Sequence, residues 1–211
     1  MYELTIGTLM LVAILLVLIA LVRHKFYLNT NINIDKILLF AIIARIIWMI
    51  IVIALEDKMT FFVYDDETYY RTAMGAPYGV YSNFYTYFLR WLYNIFGRSS
   101  LNGRIVNLAF SVMTIYPLAY LEYSMDESTN FKATVFLALS PFQIFISFFE
   151  IKDIIMMFSF TASYAIIKHL QNENSIADSL ELLLLCLLSE QIRSGMGAIP
   201  ILLLLMDKAK N

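Results

Sequence analysis

Apolar runs of about twenty residues, repeated along one chain, leave few folds open. Such runs fall at about residues 4–22, 37–55, 105–121, 133–149 and 154–170. A sixth stretch, about 180–206, is apolar at both ends and carries "SEQIRSGMG" in its middle. A bilayer core is crossed by about 20 mostly apolar helical residues. In lipid the backbone polar groups must bond within the protein, which a helix achieves by itself. The reading is an all-α fold: a polytopic transmembrane helix bundle whose first partner is the lipid bilayer. Composition points the same way. Hydrophobic residues make up 60% of the chain and charged ones 15%, against about 45–50% and about 25% in soluble domains. Too little polar surface is left to coat a water-soluble globule. In the sixth stretch Gly195, Gly197 and Pro200 favour a break. One long tilted helix and two short ones both stay open.

Some classes drop out at once. No basic tract suggests nucleic acid. The single cysteine, Cys186, lies in "LELLLLCLLS" and reads as a buried, inert thiol. His24 and His169 stand beside lysines at helix ends without ligand spacing, so no metal site is assigned. No cofactor is assigned either. The N-terminal "MYEL" carries Glu3 and lacks a basic leader and a small-residue cleavage site, so the first run reads as a retained helix.

Lysine and arginine in short loops orient the bundle. "RHKFYLNTNINIDK" holds Arg23, Lys25 and Lys36 and is read as cytoplasmic. The N-terminus and segment 56–104 are then extracytoplasmic, in a multi-pass protein of the plasma membrane. Within that segment "NFYTYFLRWLYNIFG" places Phe84, Tyr87, Phe88, Trp91, Leu92 and Ile95 at helical spacing. Arg90, Asn94 and Arg98 fall on or near the other side. This predicts an amphipathic helix on the outer membrane surface, ended by Gly97.

Charge in so apolar a chain marks candidate chemistry. "FVYDDETYYRTA" puts Asp65, Asp66 and Glu67 together at the outer rim. Adjacent carboxylates repel, so a cation, a metal or a raised pKa must balance them. A carboxylate there can take a proton from a water-soluble acceptor while a lipid-borne donor approaches sideways. "FFEIKDII" offers Glu150, Lys152 and Asp153 at a second outer turn. It reads either as a polar cap between two helices or as a turn that meets the first loop and adds a carboxylate and a cation. Arg193 either pairs with Glu190 or holds a phosphate at the interface. Arg45, also within a span, either pairs with an acid inside the bundle or snorkels.

"DETYYRTA", at 66–73, resembles the acidic motif in the first outer loop of the GT-C glycosyltransferases, such as aminoarabinose transferases and protein O-mannosyltransferases. "LYNIFGRSSLNGRIVNLAFS" resembles that family's entry to its next helix, and "LALSPFQIFISFFEIKDIIMMF" its proline-bearing helix with a charged outer turn. The resemblance implies that 1–34 is an added N-terminal helix with a cytoplasmic loop. It makes 35–211 a partial GT-C module with 56–104 as its first outer loop. It implies inverting transfer of a sugar from a polyprenyl-phosphate carrier to a glycan, lipid or protein acceptor of the cell envelope. Asp66 would be the essential acid, with Glu67 and Asp65 beside it and Asp153 as the second acid. Lys152, Arg193 and Arg71 would hold the lipid phosphate, and a divalent cation is compatible with the chemistry. Two other classes fit the composition. One is a non-catalytic subunit working with a second membrane protein of a polysaccharide assembly system. The other is a small transporter component with Arg45 and Arg193 along its path.

Overall fold

A computed structural model describes residues 5–28, 34–55, 64–75, 84–126, 131–172 and 175–208. Among these residues the fold is helical throughout, without a strand. Three helical stretches are long and apolar enough to cross a membrane: Ile6–Lys25, Ile34–Leu55 and Ser100–Met125.

The first two are α1 (Ile6–Lys25) and α2 (Ile34–Leu55). Thr5 caps α1 in a reciprocal pair with Thr8, which satisfies backbone donors the first turn would otherwise leave bare. Both helices expose most of their apolar side chains, Leu16, Val17, Phe40 and Ile47 among them. The narrow buried stripes, Leu11 and Leu15 on α1 and Leu38 and Ala41 on α2, face the bundle.

The acidic motif lies on a helix, α3 (Tyr64–Ala73), and the aromatic helix is α4 (Phe84–Phe96). Acids in the first turn of α3 and Arg71 in its last suit the helix dipole. On α4 the face formed by Tyr85, Leu89, Leu92, Tyr93 and Phe96 packs into the bundle. The opposite face leaves Tyr87 and Trp91 each 57% exposed, with Ile95 beside them. The expected apolar stripe is therefore split, since Leu92 turns inward while Tyr87, Trp91 and Ile95 turn out. Gly97 ends α4 at φ 106°, its N–H bonded to the Tyr93 carbonyl.

The third spanning stretch is built from α5 (Ser100–Met113) and α6 (Ile115–Asp126). Pro117 has no N–H to offer the Met113 carbonyl, and the two segments meet next to it, at Thr114. The expected fourth span, 133–149, is not one helix. It divides into α7 (Lys132–Leu139) and α8 (Pro141–Ile146). Ser140, held extended at ψ 124° before Pro141, makes the break. Arg45 supports it. Its guanidinium is fully buried and donates to the Ala138 carbonyl at 2.8 Å, the Ala41 carbonyl at 3.1 Å and Ser111 Oγ at 3.0 Å. So Arg45 neither snorkels nor pairs with an acid; it caps the end of α7.

After α9 (Lys152–Asn172) and α10 (Ile176–Ile192) the chain turns at residues 193–197 into α11 (Ala198–Lys208). The sixth stretch is thus two helices. Glu190 is taken by the turn, accepting from the N–H groups of Gly195 and Gly197, and does not pair with Arg193.

These elements form two distinct ends. One collects the start of α1, α3, α4, the start of α5, the α8–α9 turn and the α10–α11 turn. At the other, Lys25 Nζ and His169 Nδ1 each lie 2.6 Å from Asp178, and Glu122 accepts from Ala133 and Thr134 at the start of α7. The first helix packs into the bundle. Leu11 and Leu15 share a core cluster with Tyr69, Leu89 and Val106.

Candidate functional site

Backbone groups that are buried outside a helix must find partners elsewhere. The turn between α8 and α9 has this problem: Phe149, Glu150 and Ile151 are all buried and non-helical. Two distant side chains solve it. Asn107 of α5 donates to the carbonyls of Phe149 at 2.5 Å and Ile151 at 2.9 Å. Asp66 of α3 accepts from the N–H of Glu150 at 2.6 Å through Oδ1. Its other oxygen, Oδ2, accepts from Arg104 Nη2 at 2.6 Å. Asp66 is 2% exposed and Arg104 4%, so this is a buried ion pair. The Arg104 guanidinium also sits 5.8 Å from the ring centres of Phe148 and Phe149, within reach of a cation–π attraction.

A second carboxyl shares this space. Glu150 is fully buried, and Tyr93 of α4 donates to its Oε1. Its Oε2 has no hydrogen-bond partner among the described residues. Gly103 makes the room, because a Cβ there would stand 2.5 Å from Glu150 Oε1. Tyr85 completes the wall, donating to Asn107 Oδ1 at 3.2 Å and meeting Tyr69 edge-on at 4.9 Å.

Two acids face one arginine, and the geometry gives that arginine to Asp66. Burial, and then the Asp66 charge, push the Glu150 carboxyl well above the usual carboxylate range. Burial, and then Glu150, likewise raise the Tyr93 phenol. A raised folded-state pKa stabilises most below the ordinary value of about 4.3. That stability is lost as pH climbs through the folded value. Thermal unfolding in detergent from about pH 5 to about pH 9 should therefore show stability falling with pH. Glu150→Gln, which cannot ionise, should flatten that fall. An unchanged slope would mean Glu150 is already ionised in the fold.

The sequence-derived residues divide accordingly. Asp66 joins the buried cluster. Asp65 is half-buried on the same turn of α3, and Glu67 is exposed, paired with Arg71 one helical turn on. The second carboxylate beside Asp66 is Glu150 and not Asp153. Asp153 is exposed at the start of α9, with Arg193 Nη1 4.0 Å away. The cation beside Asp66 is Arg104, whereas Lys152, half-buried, and the exposed Arg193 and Arg71 lie outside the buried cluster. Sequence reasoning passed over Arg104, Asn107 and Tyr93. The available signal was "NGRIVN", which puts Arg104 and Asn107 three positions apart at the start of the third apolar run.

Beside the cluster, a cavity of about 190 Å³ opens between the end of α3 and α4. Tyr93 lines it, together with Arg90, Asn94 and Arg98. No group of three or more His, Cys, Asp or Glu side chains among the described residues is placed to hold a metal ion. None of the protein-family models, curated proteins or solved structures compared with the chain matches it.

Proposed function

We propose that the chain is an integral membrane glycosyltransferase of the GT-C kind, acting on a polyprenyl-phosphate-linked sugar at the extracytoplasmic face of the plasma membrane. The exposed apolar faces of α1 and α2 support insertion. Arg23, Lys25 and Lys36 sit at the end opposite α3 and α4, which supports a cytoplasmic position for that end. The single observation that carries the reading is the docking of Asp66 onto the Glu150 backbone. It joins the first-loop acid to the turn after the proline-bearing helix, the two segments on which the resemblance rests.

In this reading the acceptor hydroxyl attacks the anomeric carbon and gives its proton to a carboxylate of the Asp65–Glu67 group or to Asp153. The bond from that carbon to the phosphate oxygen breaks, and nearby cations stabilise the departing phosphate. Asp66→Asn should cut transfer from polyprenyl-phosphate hexose by about 100-fold or more in purified protein. Its melting temperature, measured in parallel, separates lost chemistry from lost fold. Full turnover in a folded Asp66→Asn protein would overturn the assignment.

One observation favours a second reading, a non-catalytic subunit. Both carboxylate oxygens of Asp66 are already engaged, by Arg104 and by the Glu150 N–H, as a structural clamp requires. Variants Asp65→Asn, Glu67→Gln and Asp153→Asn decide between the two. An enzyme loses turnover in at least one of them without losing stability. A subunit transfers nothing in any form and copurifies with a second membrane protein.

A further inference from the structure

We infer that the cavity between α3 and α4 is an anion site for a phosphate ester, held by Arg98, Asn94 and Arg90. These residues recur every fourth position along α4 and just past its end, so they line one side of it. Arg90 is already oriented: its Nε donates to the Ala73 carbonyl and its Nη2 to the Thr72 carbonyl, both at 3.1 Å. Those bonds cap the end of α3 and account for Arg90 alone. They leave Arg98 unexplained. It is exposed, follows the left-handed Gly97, and has no acid partner among the described residues. Among the described residues no carboxylate lines the cavity. Two guanidinium groups thus border one space whose described lining carries no negative charge, which favours an anion over a neutral ligand.

Size narrows the ligand. About 190 Å³ is below the roughly 300–1,000 Å³ of sites for drug-sized molecules, so the cavity suits a headgroup and not a whole glycolipid. Depth narrows it again. Tyr87, Trp91 and Ile95 stand exposed on the same helix, and such a face belongs at the lipid headgroup level. A phosphate ester presented there by the bilayer and a free phosphate share the same chemistry. The inference takes from the proposed function only the placement of α4 at the membrane surface, and it needs no sugar transfer.

The test uses the full chain in detergent. Native mass spectrometry counts bound phosphatidylglycerol, with phosphatidylcholine as the comparison lipid and inorganic phosphate as competitor. Arg98→Gln removes no ion pair or hydrogen bond among the described residues, so its melting temperature should match the wild type. It should bind phosphatidylglycerol about tenfold more weakly. Displacement of the lipid by inorganic phosphate would identify free phosphate as a ligand of the same site. Resistance to displacement would assign the site to the membrane lipid. Equal binding by wild type and Arg98→Gln, or binding of phosphatidylcholine as strongly as phosphatidylglycerol, overturns the inference. Because the readout is binding, its failure leaves the transferase reading standing, and a failed transfer assay leaves this site standing.

Discussion

Replacing Arg104 by alanine is expected to cost the folded state on the order of 3–5 kcal/mol, the usual penalty for breaking a buried ion pair from one side. The size follows from what stays behind. Asp66, 2% exposed, would lose the guanidinium that now pairs with it, while the fully buried Glu150 stays beside it. Asp66→Asn should cost less. Asparagine still offers an oxygen to the Glu150 N–H, and Arg104 can turn to a Glu150 that is then free to ionise. The two changes should not add, because they share one interaction. Thermal or SDS-titrated unfolding of the single and double variants measures this. An Arg104→Ala protein within about 1 kcal/mol of wild type would show that the pair contributes no more than an exposed salt bridge.

The helices of greatest length were legible because a twenty-residue apolar run has little choice of structure in lipid. The breaks were less so, and two prolines show why. Pro117 sits inside a stretch that continues as a helix past a small offset at Thr114. Pro141 ends α7 outright. Local sequence does not separate them. What differs is a partner from elsewhere: Arg45 donates to the Ala138 carbonyl that the break leaves open. The site follows the same logic. Three adjacent acids announce a cluster, but the sequence does not say which is buried. The partners of Asp66 lie 38 residues away at Arg104 and 84 away at Glu150. Asp153 looked equivalent to Glu150 because only three positions separate them. The turn buries one and exposes the other. The helical form of the acidic motif was hidden by its polarity, since no apolar period marks α3.

Gly7→Ala should unseat α1 at a cost of about 1–3 kcal/mol, the range for forcing extra atoms into a packed contact. A Cβ at Gly7 would stand 2.2 Å from the Phe96 carbonyl oxygen and 2.7 Å from its carbon. These are backbone atoms at the end of α4, and a rotamer change cannot move them aside. The same carbonyl is also held by Thr5 Oγ1 and by Asn102 Nδ2, each at 3.2 Å. Any shift of α1 therefore disturbs the junction where α1, α4 and α5 meet. Gly75→Ala is the control. That glycine has φ 98° but nothing within 4 Å of a Cβ, so it reports backbone strain without a packing clash. In a Cys186→Ser background, Leu11→Cys places a probe on the buried stripe of α1, where Leu11 is 3% exposed. Maleimide labelling at position 11 should rise in Gly7→Ala and stay low in Gly75→Ala. Equal labelling in both would mean that α1 does not seat against α4, and the close approach at Phe96 would have to be abandoned.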